Sequence, residues 1–197
     1  MKSKTSRPSA TKRSARPSTR AVPNNNLRCV YSDKQIQTRV QELAKQINQD
    51  YKGKTLDVVG ILEGAFIFMA DLVRSLTIPV VCHFMKAEIR DTSAGRIAVR
   101  EILYTPKVEA TGRDVLLVSG ILQSGLTLDY LYRYILGQNP SSVRTAALIE
   151  KPDERTVDVS TDYVGFKSKE RFLVGYGLGY QGNYRNLPFV ARVARAG

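Results

Sequence analysis

Apolar residues fall along this chain in two rhythms. Ile36, Val40, Leu43 and Ile47 recur at helical spacing behind Ser32–Gln35, a capping-box pattern, and predict a surface helix with one buried stripe. The runs at 56–62 (LDVVGIL), 79–85 (PVVCHFM), 114–120 (DVLLVSG) and 142–149 (SVRTAALI) are instead continuously apolar and β-rich. Between them, 65–76 (AFIFMADLVRSL) and 126–136 (LTLDYLYRYIL) read as helices. Continuous apolar strands alternating with helices predict an α/β fold, a parallel sheet covered on both faces. Ligands in such sheets sit beyond the carboxyl ends of the strands. Two loops leave those ends here, Glu63-Gly64-Ala65 and the stretch 119–127 (SGILQSGLT). Residues 96–104 (RIAVREILY) suit either a flap or a short antiparallel strand, and no internal repeat is evident.

Composition adds an appendage. A chain of 197 residues is long enough for one substantial core and short for two. Residues 1–26 carry Lys2, Lys4, Arg7, Lys12, Arg13, Arg16 and Arg20, are rich in Ser, Thr and Pro, and precede the first acid, Asp33. So polar a segment cannot offset its ordering entropy, so the expectation is a disordered basic arm, 1–26, ahead of one domain, 27–197. The net charge of +12 suggests an anionic partner. The arm reads as a solubilising leader, a weak nucleic-acid or polyanion contact, or a transit segment. With no secretory apolar stretch and no run long enough to span a bilayer, a soluble, cytoplasmic chain without membrane contact is expected. Cys29 and Cys82 lack metal-ligand spacing and read as reduced thiols, and His83, the single histidine, reads as packed in a strand rather than as a zinc ligand. The glycines of 175–182 (GYGLGYQG) do not open a helix after a strand, as a dinucleotide fingerprint requires.

The second loop has a chemistry of its own. Ser124, Gly125 and Thr127 stand where the chain enters a helix, so free backbone N–H groups, two hydroxyls and the positive helix end converge. That combination suits a monophosphate. The loop carries no carboxylate.

The run VLLVSGILQSGLTL (115–128) resembles the phosphoribosyl pyrophosphate (PRPP) motif of the hypoxanthine-guanine phosphoribosyltransferases. The similarity extends through GILEGAFIFMADLVRSL and the stretch 145–190, covering essentially residues 30 to 190. It implies a type I phosphoribosyltransferase fold, a parallel sheet flanked by helices with a small hood built partly from the C-terminal segment. It also implies a homo-oligomer, Mg²⁺ as a cofactor, and exchange of pyrophosphate for a 6-oxopurine to give IMP or GMP. By resemblance, Ser124, Gly125 and Thr127 hold the 5′-phosphate, Lys151 donates to the purine O6, Tyr163 stacks on the base and the Val164 backbone reads the ring edge. Glu170 matches an acidic metal ligand, and Arg185 a structural arginine of the hood.

Departures gather at the reaction centre. Where the family motif reads V-E-D-I-x-D-T-G-x-T, this chain has Ser119 and Gly120 at the acidic pair, Gln123 at the base and Ser124 for the threonine. An amide has no proton-accepting pKa near neutrality. Glu63 and Gly64 occupy the pyrophosphate loop, where the family has Lys-Gly, so a carboxylate faces the expected pyrophosphate and disfavours it. The mobile lid's Ser-Tyr pair has no clear match in 84–96, and Gly179 stands where an aspartate is usual. Together these features imply a binder of GMP or IMP, silent or strongly impaired as a catalyst and regulatory in role. The alternatives are an active hypoxanthine/guanine salvage transferase and a nucleic-acid-binding protein on this scaffold.

Overall fold

The computed structural model describes residues 27–90, 99–104 and 108–193, so the arm 1–26 and part of the lid segment lie outside the described residues. Its main sheet consists of β2 (Leu56–Ile61), β3 (Val80–Arg90), β4 (Val99–Tyr104), β5 (Asp114–Leu122), β6 (Ser142–Glu150) and β7 (Tyr163–Lys167). The spatial order is β4-β3-β2-β5-β6-β7. Every neighbouring pair is parallel except β3 with β4. Residues 99–104 of the run at 96–104 therefore form an antiparallel edge strand, and 96–98 lie outside the described residues.

Successive side chains of a strand point to opposite faces, and both faces here are covered. Val58, Leu116 and Val118 pack with Ile36, Val40, Leu43 and Ile47 of α1 (Asp33–Asp50) and with Phe68, Met69 and Leu72 of α2 (Phe66–Ser75). Val59, Val115 and Leu117 pack with Leu128, Leu131 and Ile135 of α3 (Leu126–Leu136). The capping box of α1 is formed in both directions, the Gln35 amide donating to Ser32 Oγ and the Ser32 amide to Gln35 Oε1. Its stripe is fully buried. Two-sided burial is why the central strands lack alternation.

A second, antiparallel sheet of order β1-β9-β8 joins β1 (Leu27–Tyr31), β8 (Leu173–Val174) and β9 (Val190–Val193). This is the expected hood, and its N-terminal strand is an addition that periodicity did not announce. Tyr31 anchors it by stacking on Phe166 of β7, ring centroids 4.1 Å apart. Because β2, β5 and β6 run in parallel, their carboxyl ends reach one edge together, under this hood. His83 lies in β3 as expected, its Nε2 3.3 Å from Asp57, which Arg113 also binds at 2.9 Å. Cys29 and Cys82 are free thiols, and no described helix is long and apolar enough to cross a membrane.

Candidate functional site

Two cavities open at that edge. The larger, about 510 Å³, is lined by residues of the β2, β5 and β6 ends and of the hood, among them Gly64, Gln123, Lys151, Glu154 and Phe172. The smaller, about 120 Å³, is lined by Ser119, Gln123, Ser124, Gly125, Thr127 and apolar neighbours. Ile121 and Gln123 line both, so the two spaces adjoin at these two residues.

The smaller cavity is the entrance to α3. Gly125 is its N-cap at φ +84°, a left-handed backbone that admits glycine without strain. A Cβ there would also press on Val157 and Val159, both 3.0 Å away. The Leu126 amide is 3.4 Å from Ser124 Oγ, and the Ser124 carbonyl is tied from outside by the Thr156 amide at 3.0 Å. The first-turn N–H groups and the Ser124 and Thr127 hydroxyls belong to a packed element, with the positive helix end behind them. Ser119 lines the same space and donates its hydroxyl to the Ile121 carbonyl at 3.1 Å.

Lys151 follows β6 directly, with its amide on the Leu122 carbonyl at 2.9 Å. It is 2 % exposed, and its ammonium donates to Glu154. The other oxygen of Glu154 accepts from Gln123 Nε2 at 3.4 Å. A short 3₁₀ turn, Pro152–Glu154, makes this possible by folding the acid back over the lysine. Sequence reading passed over Glu154; a Lys-Pro-Asp-Glu turn at a strand end was its only signal.

Tyr163 and Val164 are not brought to either cavity. Tyr163 is 4 % exposed on the edge strand β7, its hydroxyl donating to Asp50 at 2.6 Å and accepting from Arg144 at 2.7 Å. Burial, then the Asp50 carboxylate, push this phenol well above its ordinary range, while the Tyr163 hydroxyl and then Arg144 hold Asp50 below its own. The Val164 carbonyl is taken by Arg39 at 2.7 Å. The Tyr163 ring is part of the core packed against α1, so it offers no face to a ligand. The aromatics in the cavity lining are Phe172 and Tyr180, each 47 % exposed; Phe172, at φ +54°, is followed by Leu173. Phe172 stands just before β8, and Gly175 and Gly177, both at positive φ, follow that two-residue strand.

Glu63 does not present a bare carboxylate. Its oxygens accept from Lys86 at 3.2 Å and Arg185 at 2.7 Å, and these cations, Lys86 first, hold its carboxyl below the usual range. The repulsion expected at the pyrophosphate loop is thus offset by two adjacent cations. Arg185 also donates to the Gly177 carbonyl at 2.7 Å and so joins hood to loop, while lining the larger cavity. Gly179 now has a reason. A Cβ there would lie 2.8 Å from the Arg185 guanidinium carbon, so the glycine leaves room for the arginine to cross toward Glu63. Gly120 is constrained more severely, since its Cβ would sit 2.2 Å from the Gly64 carbonyl oxygen.

Glu170 lies outside both cavities, its carboxylate on Arg192 at 3.2 Å in a surface hollow with Arg28, Lys169 and Arg171. Surrounded by cations, it does not fit a Mg²⁺ ligand. The smaller cavity offers hydroxyls and an amide but no carboxylate, and no cluster of three or more His, Cys, Asp or Glu is found among the described residues. A hard dication prefers anionic oxygen, so these side chains do not make a site for it by themselves.

Comparisons with known proteins agree with this fold. The sequence model of the phosphoribosyl transferase domain matches residues 30–181. The hypoxanthine-guanine phosphoribosyltransferase of Dictyostelium discoideum is 39 % identical over 168 residues, covering 83 % of this chain and 93 % of its own. The hypoxanthine phosphoribosyltransferase of Salmonella typhimurium is 40 % identical over 162 residues, covering 81 % and 90 %. Among solved structures, a hypoxanthine phosphoribosyltransferase from Staphylococcus aureus superposes with a TM-score of 0.83 at 31 % identity, covering 88 % of this chain and 95 % of its own.

Proposed function

The chain belongs to the hypoxanthine-guanine phosphoribosyltransferase family and has its type I fold, and from that premise we propose that it joins the phosphoribosyl group of PRPP to hypoxanthine or guanine in purine salvage. The observation that carries this reading is the meeting of the two cavities at Gln123 and Ile121. One end has a buried ammonium, Lys151, and an exposed ring, Phe172, suited to an oxo group and a base face. The other is a helix N-terminus with hydroxyls, suited to a 5′-phosphate. The two ends of a purine nucleotide are matched, with the sugar placed between them. Phe172 takes the stacking role and Leu173 the adjacent backbone. The pairing of Glu63 with Lys86 and Arg185 removes the main electrostatic objection to PRPP.

A second reading, a purine-nucleotide binder without turnover, is favoured by one observation: Ser119, Gly120 and Gln123 leave the end of β5 without a carboxylate. Formation of IMP and GMP from the free bases and Mg-PRPP separates the two. A kcat above about 1 per second, the lower end of the ordinary enzymatic range, is expected from a salvage transferase. Tight GMP binding without product establishes the second reading instead. Loss of GMP binding in Lys151→Ala is expected under both, by about ten- to a hundredfold for a hydrogen bond to a charged group.

A further inference from the structure

Glu154 is the one carboxylate among the described residues that line the two cavities. It belongs to the turn after β6, not to the end of β5 and the loop after it, where the family motif keeps its acids. Its amide donates to the Lys151 carbonyl at 3.1 Å, which fixes the turn that folds it back. One oxygen receives the Lys151 ammonium and the other the Gln123 amide. A carboxylate offers about four acceptor positions over its two oxygens. Acceptor capacity therefore remains beside the place where a base held by Lys151 would lie.

We propose that Glu154 is the proton acceptor of the transfer reaction, acting from the turn after β6 in place of the side chain at position 123. The proposal rests on the transferase reading above. In the step, the N9 lone pair of the 6-oxopurine forms the bond to C1′ of the phosphoribosyl group, and the C1′–O bond breaks with its electron pair leaving on pyrophosphate. The N7 proton passes to the Glu154 oxygen, and the N–H pair remains on N7 as a lone pair. The products are a neutral purine on its ribose, pyrophosphate and a protonated Glu154, which returns its proton to water. Gln123 holds the acceptor oxygen beside the base. Lys151, with three donors, serves O6 and the carboxylate together.

The test compares the full-length protein with Glu154→Gln, which keeps the volume and one acceptor oxygen but cannot take a proton. The expected result is a fall in kcat for IMP and GMP formation of about 10²–10⁴-fold, as for loss of a general base. The GMP dissociation constant should change by less than about threefold, and the acidic limb of the kcat/KM pH profile should disappear. Adding Gln123→Asp to Glu154→Gln should restore turnover by about tenfold or more, since it returns an acceptor to the other side of the pair. A Glu154→Gln protein with unchanged kcat, or one whose acidic limb persists, overturns the proposal. So does a wild-type protein that binds GMP yet makes no product, which leaves nucleotide binding standing. A wild-type protein that binds neither GMP nor hypoxanthine places the failure in the functional reading itself and removes the proposal with it.

Discussion

Phe172 and Tyr163 are nine residues apart, and their surroundings are opposite, one ring exposed in a cavity lining and the other buried. An exposed ring in a cavity lining is available for stacking, worth about 1–3 kcal/mol per base. Phe172→Ala should weaken GMP binding by about ten- to a hundredfold and leave the melting temperature nearly unchanged, read by calorimetric titration and thermal unfolding. Tyr163→Phe should do the reverse. It removes a buried hydroxyl that joins Asp50 to Arg144, so a loss of about 1–2 kcal/mol in stability is expected with GMP affinity intact. The same cluster sets a pH response. The folded pKa of Asp50 is lowered, so its contribution is present above about pH 4 and is lost as pH falls through the folded value. The phenols of Tyr163 and Tyr176 are raised, chiefly by burial, so their contribution is present below about pH 10 and is lost as pH rises beyond it. Thermal unfolding across alkaline pH should show the wild type losing stability above that point and Tyr163→Phe losing less.

At the scale of elements, what was legible in the sequence depended on whether local chemistry alone fixes the structure. The spacing of α3 predicts residues 126–136, and the helix occupies them, because Gly125 at positive φ and the Ser124 hydroxyl define its start within the chain itself. The capping box of α1 is equally local. The hood was not legible in that way. Its strands β1 and β9 lie at opposite ends of the described chain, and β8 is two residues long, too short for periodicity to register. At the site, the turn into α3 could be read from Ser124, Gly125 and Thr127, whereas the burial of Tyr163 and the exposure of Phe172 depend on how distant elements pack. Glu154 was hidden because its role arises from a turn that brings it to Gln123, 31 residues earlier. The loop after β2 supplies a further prediction. Gly120→Ala places a methyl group against the Gly64 carbonyl, so the loop or the end of β5 must move. A destabilisation of about 1–3 kcal/mol, typical of overpacking, is expected in denaturant unfolding, together with weaker PRPP binding.

For the whole molecule, charge divides between arm and domain. The cations of residues 1–26 stand without a single acid, while those of the domain include many that are paired, such as Arg39, Arg113, Arg144, Arg155 and Arg185. Among the described residues, the two core clusters already join the three helices to the central strands. Deleting residues 1–26 should therefore leave the melting temperature and GMP binding unchanged. Retention on RNA at low salt should drop sharply, and the salt dependence of what remains should flatten, each lost phosphate contact taking about 0.7–0.9 from the logarithmic slope. Equal retention by the shortened protein would assign polyanion binding to the hollow formed by Arg28, Lys169, Arg171 and Arg192.

The close approach of Gly120 to the Gly64 carbonyl also bears on how such a site changes over generations. The family motif carries an acid at this position, and no single codon change can restore one here without driving its Cβ into a neighbouring backbone. An acid there requires the loop after β2 or the end of β5 to give way as well. A return to the family motif at position 120 therefore takes paired changes, whereas the acceptor proposed at Glu154 stands in for position 123 and leaves this contact untouched.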